Sequence, residues 1–371
     1  MDVVQPRSAD DISVAWLNEV LASTVAGDGI ITDFRIEPVG ETAGFLGDIV
    51  RIELTWDAPM SEPSSVIAKF PTLREANRET GKGLLAYERE IGFYQHFSMD
   101  CPLNPPSFFG GVDVTGQKEF LILIEDLKTH RFPSQLESLA HADAVKAVAG
   151  LAKMHAHFWQ HPMLDEPDKI HAFKDWAPIY EPSIAAGWPL FQQDFSDLIP
   201  DAMFPMYEPG NRSAAAIFEY FSDVRPKTLI HGDARIENIC FDSAGVPRMY
   251  DWQLAAAGPG AYDLMYFFAN SIEPAQLQEI GAELVSTYYS ELIERGVQGY
   301  TREDLDGDLQ LASCLLFGFS SMVGNFLANG GETERAIVAT TTPRYWGTCQ
   351  FFNVGEIIND LDQRLTLDKP V

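Results

Sequence analysis

The stretch from Leu229 to Asp251, LIHGDARIENICFDSAGVPRMYD, constrains this chain more than any other. Thr228, Leu229 and Ile230 approach it as an apolar run, and Ile239 to Phe241 leave as a second one. Asp242-Ser243-Ala244-Gly245 has turn chemistry, and Pro247 to Tyr250 lead back to Asp251, so the pattern predicts a loop followed by a short hairpin. Such a hairpin brings Asn238 and Asp251 to the same end of a two-stranded unit. An amide oxygen beside a carboxylate, with the carboxylate of Asp233 five residues upstream of the amide, suits a hard cation such as Mg²⁺ held against phosphates. A lone Asp or Asn in a loop usually caps a helix or closes a turn. The ordered set with its apolar flanks carries the functional signal.

His231-Gly232-Asp233, then Asn238, then Asp251 after a hairpin, resembles the catalytic loop of the protein-kinase-like phosphotransferases. His-Gly-Asp in place of His-Arg-Asp is similar to the small-molecule branch: aminoglycoside phosphotransferases, choline kinases and the ecdysteroid-kinase-like group. Asp251-Trp252-Gln253 stands where protein kinases have Asp-Phe-Gly, and Gln253 at the third place points toward the ecdysteroid-kinase-like subgroup. The resemblance implies Asp233 as catalytic base, Arg235 as a cation near the transferred phosphoryl group, and Asn238 and Asp251 as metal ligands. It also implies ATP or GTP with Mg²⁺ as cofactors and a small-molecule alcohol as acceptor.

Upstream, Asp10-Asp11 and the helical spacing of Trp16, Leu17, Val20 and Leu21 predict a capped helix ending near Gly27. Strands are expected over 30–38, 49–56, 65–70 and 120–124. Between the first two lie Gly40, Gly44 and Gly47, which permit a close backbone approach to phosphate oxygens but also suit a plain hairpin loop. Lys69 interrupts the apolar strand SVIAKF, where a buried ammonium needs an anion. It matches the strand lysine that contacts nucleotide phosphates in the kinase-like fold. Its expected partner is Glu90 in the helix YEREIGFYQHF; Glu88 is a rival on a different helix face. The strand at 120–124 ends in Glu125-Asp126-Leu127, which resembles the hinge whose backbone meets the adenine. Gly44, Gly47, Glu125 and Leu127 therefore join Lys69 and Glu90 as candidate nucleotide-binding positions.

From His141 onward the pattern turns helical. His155, His157 and His161 lack accompanying carboxylates at ligand spacing, so packing with a hydrogen bond is favoured over a metal. Residues from about 172 to 207, rich in Pro, Trp and Phe, read either as part of an acceptor pocket or as a loop-rich layer over the core. Asp263 opens an apolar helical run, where it suits an N-cap; the resemblance adds that an Asp here braces the catalytic loop. The interval from Asp251 to Asp263 is only twelve positions, too short for a protein-kinase activation segment, which favours a small molecule over a peptide.

Together with these elements, the resemblance implies an α+β, two-lobed protein-kinase-like fold. Residues 1–126 form a small antiparallel-sheet lobe with the N-terminal helix, and residues 127–371 a larger, mainly helical one. The net charge of -28 argues against nucleic acid, whose binding needs a basic stripe. Four cysteines without metal or disulfide spacing, no secretion signal at the start and no apolar run of membrane-spanning length lead to the expectation of a cytoplasmic protein. A non-catalytic nucleotide-binding or scaffold protein on the same frame is the alternative. The presence of every expected chemical residue speaks against it, the loose glycine loop for it.

Overall fold

The computed structural model describes residues 6–21, 29–39, 47–58, 63–114, 119–327 and 331–367. The chain divides into two compact units, Met1–Asp100 with Asn104–His130, and Cys101–Leu103 with Arg131–Val371.

The first unit begins with helix α1 (Val14–Leu21), followed by strands β1 (Ile31–Pro38), β2 (Gly47–Trp56) and β3 (Ser65–Pro71). Helices α2 (Glu75–Gly83) and α3 (Ala86–His96) precede β4 (Phe108–Val114) and β5 (Glu119–Glu125). The strands form one antiparallel sheet in the order β1-β2-β3-β5-β4. Side chains alternate across a strand. Val66, Ala68 and Phe70 of β3 join Ile52, Leu121 and Leu123 in a core under Trp16, Leu17 and Leu21 of α1, each large apolar group contributing about 1.5–3 kcal/mol on burial. The same alternation sends Lys69 to the opposite face. The cap of α1 differs from expectation: Ser13 Oγ accepts from the N–H of Trp16 at 3.3 Å, while Asp11 closes a preceding turn by accepting from Arg7 and Ser8. The helix end near Gly27 and the loop positions Gly40 and Gly44 lie outside the described residues.

The second unit is mainly helical. Helices α4 (His141–His157), α5 (Ala177–Phe195) and α6 (Tyr207–Asp223) come first. Four three-residue strands follow: β6 (Thr228–Ile230), β7 (Ile239–Phe241), β8 (Pro247–Met249) and β9 (Ala256–Gly258), paired antiparallel as β6 with β9 and β7 with β8. Then come α7 (Gly260–Ser271), α8 (Pro274–Glu294), α9 (Arg302–Ser313), α10 (Leu315–Leu327), α11 (Glu332–Phe351) and α12 (Leu361–Leu367).

The stretch from 172 to 207, expected to be irregular, holds a 19-residue helix with Pro182 and Pro189 inside it. An internal proline costs about 3 kcal/mol in an isolated helix. Here both prolines lie on the exposed face, and the buried side chains of Ile184 and Phe191 pack against α10. A Cβ at Gly324 of α10 would fall 2.2 Å from the carbonyl oxygen of Gly187, so the two helices meet at a glycine contact. Trp176, Tyr180, Phe191 and Phe195 are buried, so these aromatics belong to the core. No helix among the described residues is long and apolar enough to cross a membrane.

Candidate active site

The stretch from Leu229 to Asp251 folds in the second unit as its local chemistry predicts. Strand β6 delivers the chain to His231, and a single 3₁₀ turn over Ile236–Asn238 carries it into the β7–β8 hairpin. The turn is closed by Gly245, whose N–H donates to Asp242 O at 2.9 Å and whose φ is +73°. At the open end of the hairpin, Tyr250 N–H donates to Asn238 O at 3.1 Å, which sets Asp251 one residue beyond the point opposite Asn238.

Asp233 is 6% exposed. Its Oδ2 accepts from Asn238 Nδ2 at 2.8 Å and lies 3.3 Å from Arg235 Nε. The same amide nitrogen donates to Asp233 O at 3.0 Å. Both carboxylate contacts fall on one oxygen, so Oδ1 is the oxygen left to meet a ligand. Asn238 Nδ2 is committed to Asp233, which leaves its Oδ1 as the donor for a cation. Arg235 Nη1 contacts Glu237 Oε2 at 2.9 Å, a partner that sequence reasoning did not single out. Burial disfavours the guanidinium charge, but the carboxylates of Asp233 and Glu237 outweigh it and raise the Arg235 pKa, so this group stays cationic.

The loop backbone is clamped from a distance. Asp263, fully buried in the first turn of α7, accepts from His231 N–H at 2.6 Å through Oδ2 and from Gly232 N–H at 2.9 Å through Oδ1. It is not the N-cap expected from its position; Pro259 occupies that place, and the carboxylate reaches across to the loop. Behind it, His155 Nε2 lies 3.2 Å from Asp263 Oδ2 and His155 Nδ1 lies 2.7 Å from Tyr288 Oη. His155 is therefore a packed, hydrogen-bonded residue. Among the described residues no group of three His, Cys, Asp or Glu side chains is arranged to hold a metal.

His231 has a structural task of its own. Burial disfavours its cation and lowers its pKa, so the ring is neutral. A proton on Nε2 then donates to Tyr250 O at 3.0 Å, while Nδ1 accepts from Asp233 N–H at 3.2 Å. One imidazole thus ties the loop to the strand that leads to Asp251. Gly232 has φ +81°, and a Cβ there would fall 2.0 Å from Leu254 O. The middle position of the motif requires glycine for both reasons. Asp251 itself has φ +64°, a left-handed conformation that aspartate adopts more readily than most non-glycine residues. The buried Trp252 beside it donates from Nε1 to Met249 O at 3.1 Å and packs its ring 4.4 Å from that of His231. An amide oxygen and a carboxylate at one end of the hairpin fit Mg²⁺, a hard cation that phosphate oxygens and water can complete.

In the first unit, Lys69 Nζ and Glu90 Oε2 pair at 2.7 Å with side chains 6% and 1% exposed. Glu88 is exposed, so the expected choice of helix face holds. Gly47 begins β2 beside this lysine: a Cβ there would fall 2.9 Å from Lys69 Cε. At the end of β5, Glu125 Oε2 accepts from Ser107 N–H and Oγ–H, both at 3.0 Å, and Leu127 is buried. Asp126 accepts from Arg51 Nε at 2.6 Å and Ser65 Oγ at 2.7 Å. Although burial opposes its charge, these bonds lower its pKa, which fixes the start of the segment after β5.

The chain belongs to the ecdysteroid kinase-like family, whose profile matches residues 41–297. No curated protein matches it in a sequence comparison. Among solved structures it is similar to a protein of Ralstonia eutropha assigned as an aminoglycoside phosphotransferase. That pair shares 13% identity and a TM-score of 0.57, with 91% of this chain and 96% of the other covered. It is also similar to an ethanolamine kinase of Plasmodium vivax, at 11% identity and a TM-score of 0.51 over 85% and 81% of the two chains. A choline kinase of Cryptosporidium parvum matches at 9% identity and a TM-score of 0.50 over 90% and 91%. These likenesses show a protein-kinase-like fold.

Proposed function

We propose that the protein is a nucleotide-dependent O-phosphotransferase that phosphorylates a hydroxyl group of a small molecule. Membership of the ecdysteroid kinase-like family supports the class. The observation that carries the reading is the state of Asp233: one oxygen accepts from Asn238 and lies in ion-pair range of Arg235, on a loop whose backbone Asp263 clamps. Such a carboxylate is oriented before any substrate arrives, and phosphoryl transfer asks mainly for positioning and charge neutralisation.

In this mechanism the acceptor hydroxyl donates to Asp233 Oδ1, which takes the proton as the acceptor oxygen bonds to the γ-phosphorus. The bond between that phosphorus and the β–γ bridging oxygen breaks, leaving the nucleoside diphosphate. Arg235, kept cationic by its two carboxylate neighbours, faces the developing negative charge. Lys69, oriented by Glu90, contacts the nucleotide phosphates. Asn238 and Asp251 would hold Mg²⁺, which when bound neutralises phosphate charge. Asp263 follows Asp251 by only twelve positions, and within that interval β9 pairs with β6 and α7 begins, which supports a small acceptor over a peptide laid on an activation segment.

Calorimetric titration of the purified chain with ATP and with GTP, with and without Mg²⁺, is the direct test. Metal-dependent binding abolished by Asp251→Ala is the expected result. A folded protein that binds neither nucleotide would be a scaffold on a kinase-like frame.

A further inference from the structure

Arg235 is held by more than its two acidic neighbours. With its amide oxygen and nitrogen assigned from the donors and acceptors that surround them, Gln135 donates to Glu237 at 2.9 and 3.1 Å, and its oxygen accepts from Arg235 Nη1 at 3.2 Å. Arg235 Nη1 thus meets Glu237 and Gln135 together, while Nε lies against Asp233. Gln135 is itself carried on a tied strap, residues 131–139. Arg131 exchanges backbone hydrogen bonds with Phe241 at 2.9 and 3.0 Å, and Leu139 N–H donates to Ser271 O at 2.8 Å. Between these anchors, Arg344 of α11, fully buried, donates from Nη1 to Gln135 O at 3.2 Å and from Nη2 to Glu137 O at 3.1 Å. Its Nε and Nη2 also meet Glu273 Oε1 at 2.8 and 2.6 Å.

We infer that Gln135 and Glu237 are positioning residues that hold the Arg235 guanidinium against Asp233, and that Arg344 holds the strap from which Gln135 acts. The inference rests on the functional reading above for its catalytic consequence, but the pinning is a separate physical statement. An unpinned arginine has several rotatable bonds and populates many rotamers. Fixing one edge with a carboxylate and an amide removes that freedom before substrate binds. Gln135 is uncharged, so it contributes this orientation without competing with Asp233 for the cation. The chain of contacts crosses more than two hundred residues of sequence and ends at the candidate base.

The test uses the full chain with ¹⁵N-labelled arginine. The Arg235 Nε–H resonance is assigned by its loss in Arg235→Lys. It should exchange slowly with water in the wild type and about tenfold faster in Gln135→Ala. Gln135 is half-buried on a loop, so its truncation leaves the core intact. Arg344→Lys should shift the resonance the same way without touching Arg235. Exchange that is the same in the wild type and in Gln135→Ala overturns the inference.

In ATP turnover with an alcohol acceptor, Gln135→Ala should lower kcat roughly tenfold and leave the KM for ATP within about twofold. Unchanged kcat overturns the positioning role. Slow Nε–H exchange in a wild type that transfers phosphoryl to no alcohol keeps the pinning and refutes the functional reading instead.

Discussion

Asp263 grips the backbone of His231 and Gly232 with one carboxylate oxygen each, at 2.6 and 2.9 Å. Both donors and the acceptor are buried, so water cannot replace either bond. Asp263→Asn keeps the shape but turns an N–H₂ toward at least one backbone donor. Hydrogen bonds to a charged group contribute about 1.5–3 kcal/mol each, so the variant should lose about 3 kcal/mol of stability in urea unfolding. An unchanged midpoint would show that the clamp contributes little.

Gly232 tests the same loop from the steric side. Gly232→Ala combines a positive φ with a Cβ 2.0 Å from Leu254 O, so the loop must shift. A displacement near 1 Å at the reacting group costs about a hundredfold in rate. Turnover in this variant should fall by that order while the helical circular dichroism stays.

Asp233→Asn preserves volume and removes the proton acceptor. A positioned general base contributes about 10²- to 10⁴-fold, and kcat should fall in that range with nucleotide affinity retained. Wild-type turnover would withdraw the assignment of Asp233.

The buried pair Lys69–Glu90 predicts a cycle. Lys69→Met leaves a carboxylate buried without its cation and should cost about 3–5 kcal/mol. Adding Glu90→Leu removes the orphaned charge and should recover most of the stability, because an apolar pair can replace a buried ion pair. ATP affinity should not recover in the double variant. Thermal unfolding and calorimetry on the same samples separate the two effects.

Asp308 predicts a pH dependence. Burial pushes its pKa up from 3.8 to about 6, against the pull of Arg225 and the hydrogen bond from Tyr300 at 2.7 Å. The folded state therefore holds this proton more tightly than the unfolded state. Its stabilisation is complete below pH 3.8 and is lost as pH rises through about 6. A shift of this size corresponds to about 3 kcal/mol. Asp308→Asn should remove that downward contribution, visible as a change in slope of unfolding free energy between pH 4 and 6.

Much of the candidate site was legible in the sequence because its logic is local. The hairpin that sets Asn238 against Tyr250 is specified by a turn at Asp242–Gly245 and by apolar runs of three residues. Strand alternation forces Lys69 away from the core of Val66, Ala68 and Phe70, and helix periodicity selects Glu90 over Glu88. Other elements were misread for an equally physical reason. Pro182 and Pro189 argue for a break within any local window, yet α5 forms because its inward face packs on α10. For Asp263 the local reading as a helix cap fails, since Pro259 takes that place, while the bracing of the loop that the resemblance implied is what its carboxylate does.

By itself, then, the sequence determined the order of elements from Leu229 to Asp251 and which side chains there are candidates for the proposed chemistry. Turn propensity and side-chain periodicity act over a few residues and need no tertiary context. Only the tertiary structure decided which atoms hold those residues still. Asp263 lies 32 residues from His231, His155 108 residues from Asp263, and Arg344 209 residues from Gln135. Contacts at such separations leave no spacing rule in the chain, because they exist only once packing has closed the intervening loops.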